Sequence, residues 1–387
     1  MKAVFAFDSF KGSATSGKLG EAAFRAFLEI LPHAETMCYQ IADGGEGCLE
    51  ALLSSPRGAT AVQCKTHDPL MRRIVSSYAA MPDGTAMIEA ASASGLTLIT
   101  ESERNPMKTT SFGTGEQIAD AVRSGCREIY LMLGGTATND AGTGILSALG
   151  FIFRDADGNA VEPAGENLAR IRHIDSSGAL PGLDKCNFTL GCDVNTLFYG
   201  EQGAAYVFAA QKGASQKDIA TLDEGLRNYA EAVLKATGKD ISCLPGSGAA
   251  GGICGGLVPF LNAGVRSGID IMMDITGLRN AIAEADIVFT GEGRIDGQTL
   301  MGKAVSGICR AADTGTKVIA LCGSYSMTGK ERDELDRLGC TAVFPIQPSP
   351  VTLEEAMRTE NVLANVARTV KEIARIYKTG LRSAMRR

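Results

Sequence analysis

Histidine is scarce. The chain has three, His33, His67 and His173, far apart in sequence. A histidine-ligated zinc site or a Ser-His-Asp triad therefore has little support, and there is no GxSxG nucleophile elbow. The eleven cysteines are scattered, with no CxxC pair and no Cys/His metal spacing. That is the pattern of reduced thiols in a cytoplasmic protein rather than of a disulfide framework. No apolar run approaches the ~20 residues of a membrane span. The apolar stretch after Met1 meets Asp8 too soon for a secretory signal. Lysine and arginine form no block and the net charge is −6, so neither a nucleic-acid nor a membrane partner is expected. Only 12 of the 387 residues are proline, and there is no short-period repeat. The 46 glycines, about 12% against a typical ~7%, are thus not low complexity. They cluster, which marks turns where backbone approaches something closely.

What is present is an ordinary globular composition, 45% hydrophobic and 21% charged, long enough for two domains. KAVFAF (2–7) reads as a buried parallel strand. A helix ending near Ile30, a strand over 36–41, a helix over 48–54 and a strand over 59–66 follow. The last third repeats the rhythm: strand 286–289, loop 290–299, helix 302–313, strand 317–322, helix 330–338, strand 341–346 and one long helix over 352–377. Strands alternating with helices imply βαβ units and a parallel sheet covered on both faces. The middle differs, with period-two strands in 70–100, a helix over 114–124, strands at 128–133 and 188–193, and an amphipathic helix over 215–236. The expected architecture is α/β: a Rossmann-like domain from 1–64 plus 281–387, with a second α/β domain, 65–280, inserted.

Ligands of parallel α/β sheets sit beyond the carboxyl ends of strands, and the distinctive clusters fall there. DSFKGS (8–13) offers Asp8, Ser9 and Lys11. ADGGEG (42–47) offers Asp43 and Glu46, acids that also suit the first turn of the following helix. GGTATNDAG (134–142) holds Thr136, Thr138, Asn139 and Asp140. CDV (192–194) carries Asp193. PGSGAAGGICGG (245–256) is glycine-dense. TGEGRIDGQ (290–298) carries Glu292, Arg294 and Asp296, with Lys303 beyond. Such loops suit phosphoryl transfer: glycines aim N–H groups at phosphate, carboxylates hold Mg²⁺, and a cation neutralises the transferred group. Two partial motifs compete. GSGAAG (246–251) matches GxGxxG but lacks the strand before it, and GQTLMGKA (297–304) has Ala304 where a P-loop needs a hydroxyl. The residues alone indicate a cytosolic α/β enzyme with an anionic, phosphorylated ligand.

Taken together, the segments DSFKGS, IADGGEG (41–47), IEAASASGL (88–96), TTSFGTGE (109–116), GGTATNDAG, CDV, GAAYVFAAQKGA (203–214), PGSGAAGG (245–252) and TGEGRIDGQTLMGK (290–303) resemble the bacterial type-1 glycerate kinase family. The resemblance runs from about residue 3 to about residue 345. It implies an ATP:D-glycerate phosphotransferase, giving 2-phosphoglycerate rather than 3-phosphoglycerate. It also implies a Rossmann-like domain of six parallel strands plus an inserted domain, with the substrates in the cleft between. The chain departs from the family pattern at Thr136 (for Ser), Ala141 (for Gly), Thr196 and Leu197 (for Asn and Pro), and Ala209 and Ala210 (for Gly and Pro). A nicotinamide oxidoreductase built on GSGAAG and a non-catalytic sensor on the same fold are the competing readings.

On this basis ATP and Mg²⁺ are the expected cofactors and D-glycerate the substrate, with the chain a monomer or a homodimer. Asp193, then Asp43, are candidates to accept the hydroxyl proton, with Lys11 assisting. Asp8, Ser9, Lys11 and Arg294 are candidates for glycerate. Gly134, Gly135, Thr136, Lys212, Gly246, Gly248, Gly251, Gly252 and Lys303 are candidates for ATP phosphates. Asp43, Glu292 and Asp296 are candidates for the metal.

Overall fold

The computed structural model describes residues 1–42, 44, 47–300, 302 and 304–384; Asp43, Glu46 and Lys303 lie outside them. The described strands are β1 (Lys2–Phe7), β2 (Glu35–Gln40), β3 (Thr60–His67), β4 (Arg73–Ala80), β5 (Thr85–Glu89), β6 (Glu128–Met132), β7 (Ile152–Arg154), β8 (His173–Asp175), β9 (Asn187–Gly191), β10 (Gly264–Arg266), β11 (Ile287–Ile295), β12 (Lys317–Tyr325) and β13 (Cys340–Pro345). The fold is α/β. The chain divides into one unit of Met1–Asp43, Glu50–Arg57 and Ile269–Arg387, and a second of Gly44–Leu49 and Gly58–Gly268. Relative to the sequence-based division, 44–49, 58–64 and 269–280 change sides.

The first unit carries a parallel sheet in the order β13-β12-β11-β1-β2. Strands from the two chain ends lie side by side, with Ala3 opposite Ile287 and Phe7 opposite Gly291. β1 is apolar at every position after Lys2 because both faces are covered. Ala3, Phe5 and Phe7 pack with Leu19 and Phe27 of helix Ser16–Ile30 and with Val366 and Val370 of helix Thr359–Ala384. Val4 and Ala6 face the other layer, with Val305 and Ile308 of helix Ala304–Ala311. Phe5 stacks on Phe289 across the β1–β11 seam, with ring centroids 5.2 Å apart. The Ser16 hydroxyl donates to the Phe7 carbonyl (2.6 Å) and accepts from Ile41 N–H (2.9 Å), fixing the ends of β1 and β2 together.

Three details differ from the sequence reading. The sheet has five strands. The expected sixth, β3, pairs antiparallel with β4 in the second unit, from Thr60 opposite Ala80 to His67 opposite Arg73. Its hairpin partner is local, and the turn is held by Asp68, whose carboxylate accepts from Leu70 and Arg72 N–H groups and from Arg72 Nε. β11 and β12 run on past the expected strand ends, pairing Glu292 with Cys322 and Arg294 with Ser324, so these residues lie on a strand rather than in a loop. The long last helix is broken: Leu353–Met357 and Thr359–Ala384 are separated at Arg358, which is extended (ψ 126°). The Met357 carbonyl accepts from the Ser13 hydroxyl (2.7 Å), and Thr359 Oγ1 donates to the Ser13 carbonyl (2.6 Å).

The second unit has a mixed sheet in the order β10-β9-β6-β5-β4-β3, parallel from β10 to β5 and antiparallel beyond. Helices Phe112–Arg123, Thr143–Ala148, Gln216–Thr237 and Ala249–Leu261 pack with it around a large apolar core. Inside lies a polar knot. The fully buried Asp140 carboxylate accepts from Ser111 N–H (2.7 Å), Ser111 Oγ (2.8 Å), and the N–H groups of Gly142 and Gly144 (both 3.2 Å). Burial pushes its carboxyl above the ordinary range, opposed by these donors. Lys212 is equally buried. Its ammonium donates to the Thr138 carbonyl (2.7 Å) and Thr136 Oγ1 (3.4 Å), and burial lowers its pKa to about 8, with Asp140 partly restoring it. Ala141 sits at φ 54° with no exposure.

Two outcomes are expected. Ala141→Gly relieves a left-handed alanine and raises unfolding stability by about 1 kcal/mol, read by urea denaturation; unchanged or lowered stability would refute the strain. The folded-state pKa of Lys212 lies below its ordinary value of 10.5, so between about pH 8 and 10.5 the unfolded chain binds the extra proton and stability climbs with pH. That rise is expected to disappear in Lys212→Met, compared with wild type by urea midpoints across the same window; parallel profiles would place the Lys212 proton elsewhere.

Candidate active site

In the first unit the carboxyl ends of β1, β11, β12 and β13 open on a cavity of about 390 Å³. β1 hands over directly to the 8–13 loop: Asp8 N–H donates to the Gly291 carbonyl (2.9 Å), continuing the sheet. A tight turn follows, with Phe10 and Ala14 bridged and Gly12 at φ 73°, leaving Lys11 exposed at its tip. Asp8, Ser9 and Lys11 line the cavity together with Glu292 and Arg294 from β11. Glu292 is buried (7% exposed), and its Oε1 accepts from Thr299 Oγ1 at 2.6 Å. Arg294 is exposed, its Nε 3.0 Å from Asp296 Oδ2 and its Nη2 3.3 Å from Ser326 Oγ. One buried acid, one half-buried acid, a lysine and an arginine thus converge on a concave surface. The lysine and arginine are the groups of this set suited to neutralising an anion.

In the second unit the loops after β6 and β9 meet Gly44. The Gly44 carbonyl accepts from Gly134 N–H (3.3 Å). Asp193 is exposed just beyond β9, and its Oδ1 accepts from Gly268 N–H (2.9 Å). Gly44, at φ 96°, lies against this carboxylate; a Cβ there would be 3.0 Å from Asp193 Oδ2. An exposed, oriented carboxylate next to bare backbone is suited to accepting a proton from a small hydroxyl.

Of the expected phosphate-binding residues, Gly134 and Gly135 stay accessible on the loop after β6, whereas Thr136 and Lys212 are buried and bonded to each other. Gly246, Gly248, Gly251 and Gly252 are buried too. A Cβ on Gly251 would come within 2.1 Å of the Thr138 carbonyl, so no side chain fits at this position. Ala250, Gly251 and Gly252 are all left-handed, which kinks helix Ala249–Leu261 at its start. GSGAAG therefore follows a turn rather than a strand and has none of the dinucleotide fingerprint's geometry. Asp296 is tied to Arg294 and to Gln298 N–H (2.9 Å). Among the described residues no group of three or more His, Cys, Asp or Glu side chains is gathered for a metal.

The sequence reading missed the far wall of the cavity: Gly323 and Ser324 on β12, Ile346 and Gln347 after β13, and Leu353, Ala356, Met357 and Val362 beyond. The strand-end rule that located the other loops applies equally to β12 and β13. It also points to Glu89, which ends β5 and accepts from Leu49 N–H (2.8 Å).

The chain was compared with known proteins. The family described as "Glycerate kinase family" matches residues 3–378. A glycerate 2-kinase of Escherichia coli K12 is 39% identical over 99% of this chain and 100% of its own. A glycerate kinase of Bacillus cereus is 40% identical, covering 98% of each. A crystal structure from Salmonella typhimurium LT2 that carries the name glycerate kinase 2 superposes with a TM-score of 0.87 at 38% identity, covering 99% of each chain. With its motifs placed at strand ends in each unit, and matched along nearly its whole length, this chain belongs to the glycerate kinase family.

Proposed function

We propose that the protein transfers the γ-phosphoryl group of ATP to the 2-hydroxyl of D-glycerate, giving 2-phosphoglycerate and ADP. The observation that carries this reading is the convergence of Asp8, Ser9, Lys11, Glu292 and Arg294 on one cavity, built from two segments nearly 300 residues apart in sequence. Membership of the glycerate kinase family supports the acceptor, and the 2-kinase name of the Escherichia coli relative supports the position.

The glycerate hydroxyl oxygen forms a bond to the γ-phosphorus as the bond to the ADP oxygen breaks. Asp193 takes the hydroxyl proton, held in place by the Gly268 N–H. Lys11 and Arg294 neutralise charge on the substrates' anionic groups as it spreads. Mg²⁺ keeps most of its ligands as water and phosphate oxygen and needs only one or two carboxylates. Glu292, a buried acid on the cavity wall, fits that demand; Asp296, paired with Arg294, lies outside the wall, and Asp43 lies outside the described residues. When bound, the ion supplies further charge neutralisation on the phosphates. The buried, kinked GSGAAG segment lends no support to a nicotinamide enzyme. Eleven free thiols support a cytoplasmic location, and no helix among the described residues is long and apolar enough to cross a membrane. We keep monomer or homodimer as the assembly.

ADP release from MgATP is expected to depend on D-glycerate, with the product's phosphorus coupled to the C2 proton in NMR; no glycerate-dependent ADP release would refute the activity. Asp193→Asn is expected to lower kcat by roughly 10²–10⁴ with the thermal transition unchanged. A near-wild-type kcat would take proton acceptance away from Asp193.

A further inference from the structure

The cavity of the first unit has two chemically distinct sides. One is polar: Asp8, Ser9, Lys11, Glu292, Arg294 and Ser324. The other is apolar: Phe10, Ile346, Leu353, Met357 and Val362. A three-carbon hydroxy acid is polar all round and has nothing to set against five apolar side chains. The cavity's size, about 390 Å³, lies within the ~300–1,000 Å³ range of sites for ligands larger than glycerate. Leu353 is 75% exposed and Met357 39%, although both belong to the cavity wall. Large apolar groups left open beside charged ones match a ligand with a flat apolar part and an anionic tail.

The two sides are also mechanically joined. The Ser13 hydroxyl holds the Met357 carbonyl and Thr359 Oγ1 holds the Ser13 carbonyl, so the short helix Leu353–Met357 is fastened to the loop that carries Lys11. A Cβ on Gly12 would lie 3.1 Å from the Met357 methyl, so the loop and the helix are already in contact. Gln347, braced by Asn365 Nδ2 on its Oε1 (2.9 Å), adds a carboxamide able to meet a base edge. The position is the one where open parallel sheets take nucleotides, outside the carboxyl ends of the strands. The glycines that the sequence offered as a phosphate cradle, 246–252, are packed against protein backbone instead.

We propose that this cavity is the nucleotide site, and that it deepens the kinase reading on which it rests. The base and ribose lie against Phe10, Ile346, Leu353, Met357 and Val362, and the phosphates extend to Lys11 and Arg294. Lys11 and Arg294 thereby serve the phosphoryl donor rather than the glycerate carboxylate.

The test is calorimetric, on the full chain, with three probes: MgADP, inorganic tripolyphosphate and D-glycerate. Leu353→Ser combined with Met357→Ser changes side chains that already touch solvent, and its thermal transition is compared with wild type. Affinity for MgADP is expected to fall by about tenfold or more, while tripolyphosphate and D-glycerate bind as before. Lys11→Ala is expected to weaken MgADP and tripolyphosphate together. An unchanged MgADP affinity in the double variant, or a loss confined to D-glycerate, would overturn the assignment. The two readings separate cleanly. If glycerate-dependent ADP release occurs but MgADP binding ignores Leu353 and Met357, only the cavity assignment falls. If MgADP binding follows the expected pattern but glycerate accepts no phosphoryl group, the assignment stands and the activity does not.

Discussion

A sheet covered on both faces leaves its ligands one place to go. In the first unit, side chains of β1 alternate between two apolar layers, and from Ala3 to Phe7 both of its faces are buried in a core. Only the strand ends remain free to carry charge, and there the chain places Asp8, Lys11, Glu292 and Arg294. The second unit obeys the same constraint along β5, β6 and β9, with Glu89, the 134–142 loop and Asp193 at the carboxyl ends. The chemistry of this protein is a consequence of where parallel strands stop.

Charge in the second unit is of two kinds, and burial separates them. Asp193 is exposed and accepts from the Gly268 N–H, so it can exchange a proton with a ligand. Asp140 and Lys212 have no such access. Their hydrogen bonds are all internal, and they fix the path of the 134–144 backbone, including a left-handed Ala141. An acid and a lysine in a motif thus read alike in sequence whether they do chemistry or hold a loop. Desolvation decides between the two, because a charge with no exposure must satisfy its bonds inside.

The elements were largely legible. Periodicity located β1, β2 and the helices that follow them within a residue or two, and the two-ended sheet followed from its matching βαβ rhythm. Partnership was less legible. β3 has the composition of a strand whichever sheet it joins, and its antiparallel pairing was settled by a local turn built on Asp68. The break at Arg358 was hidden because helical periodicity runs through it, while the bonds that stop the helix come from Ser13, more than 300 residues earlier.

The sequence by itself determined the fold class, the family and the catalytic vocabulary: hydrophobic period, strand-end glycines and acids are local properties that survive without coordinates. Tertiary structure decided which of those residues face a ligand. Close packing fills the space around Gly251 with the Thr138 carbonyl, whereas the lengthened β11–β12 pair and the turned helix at Leu353 leave a two-sided cavity. Space and exposure depend on segments distant in the chain, and no local pattern records them.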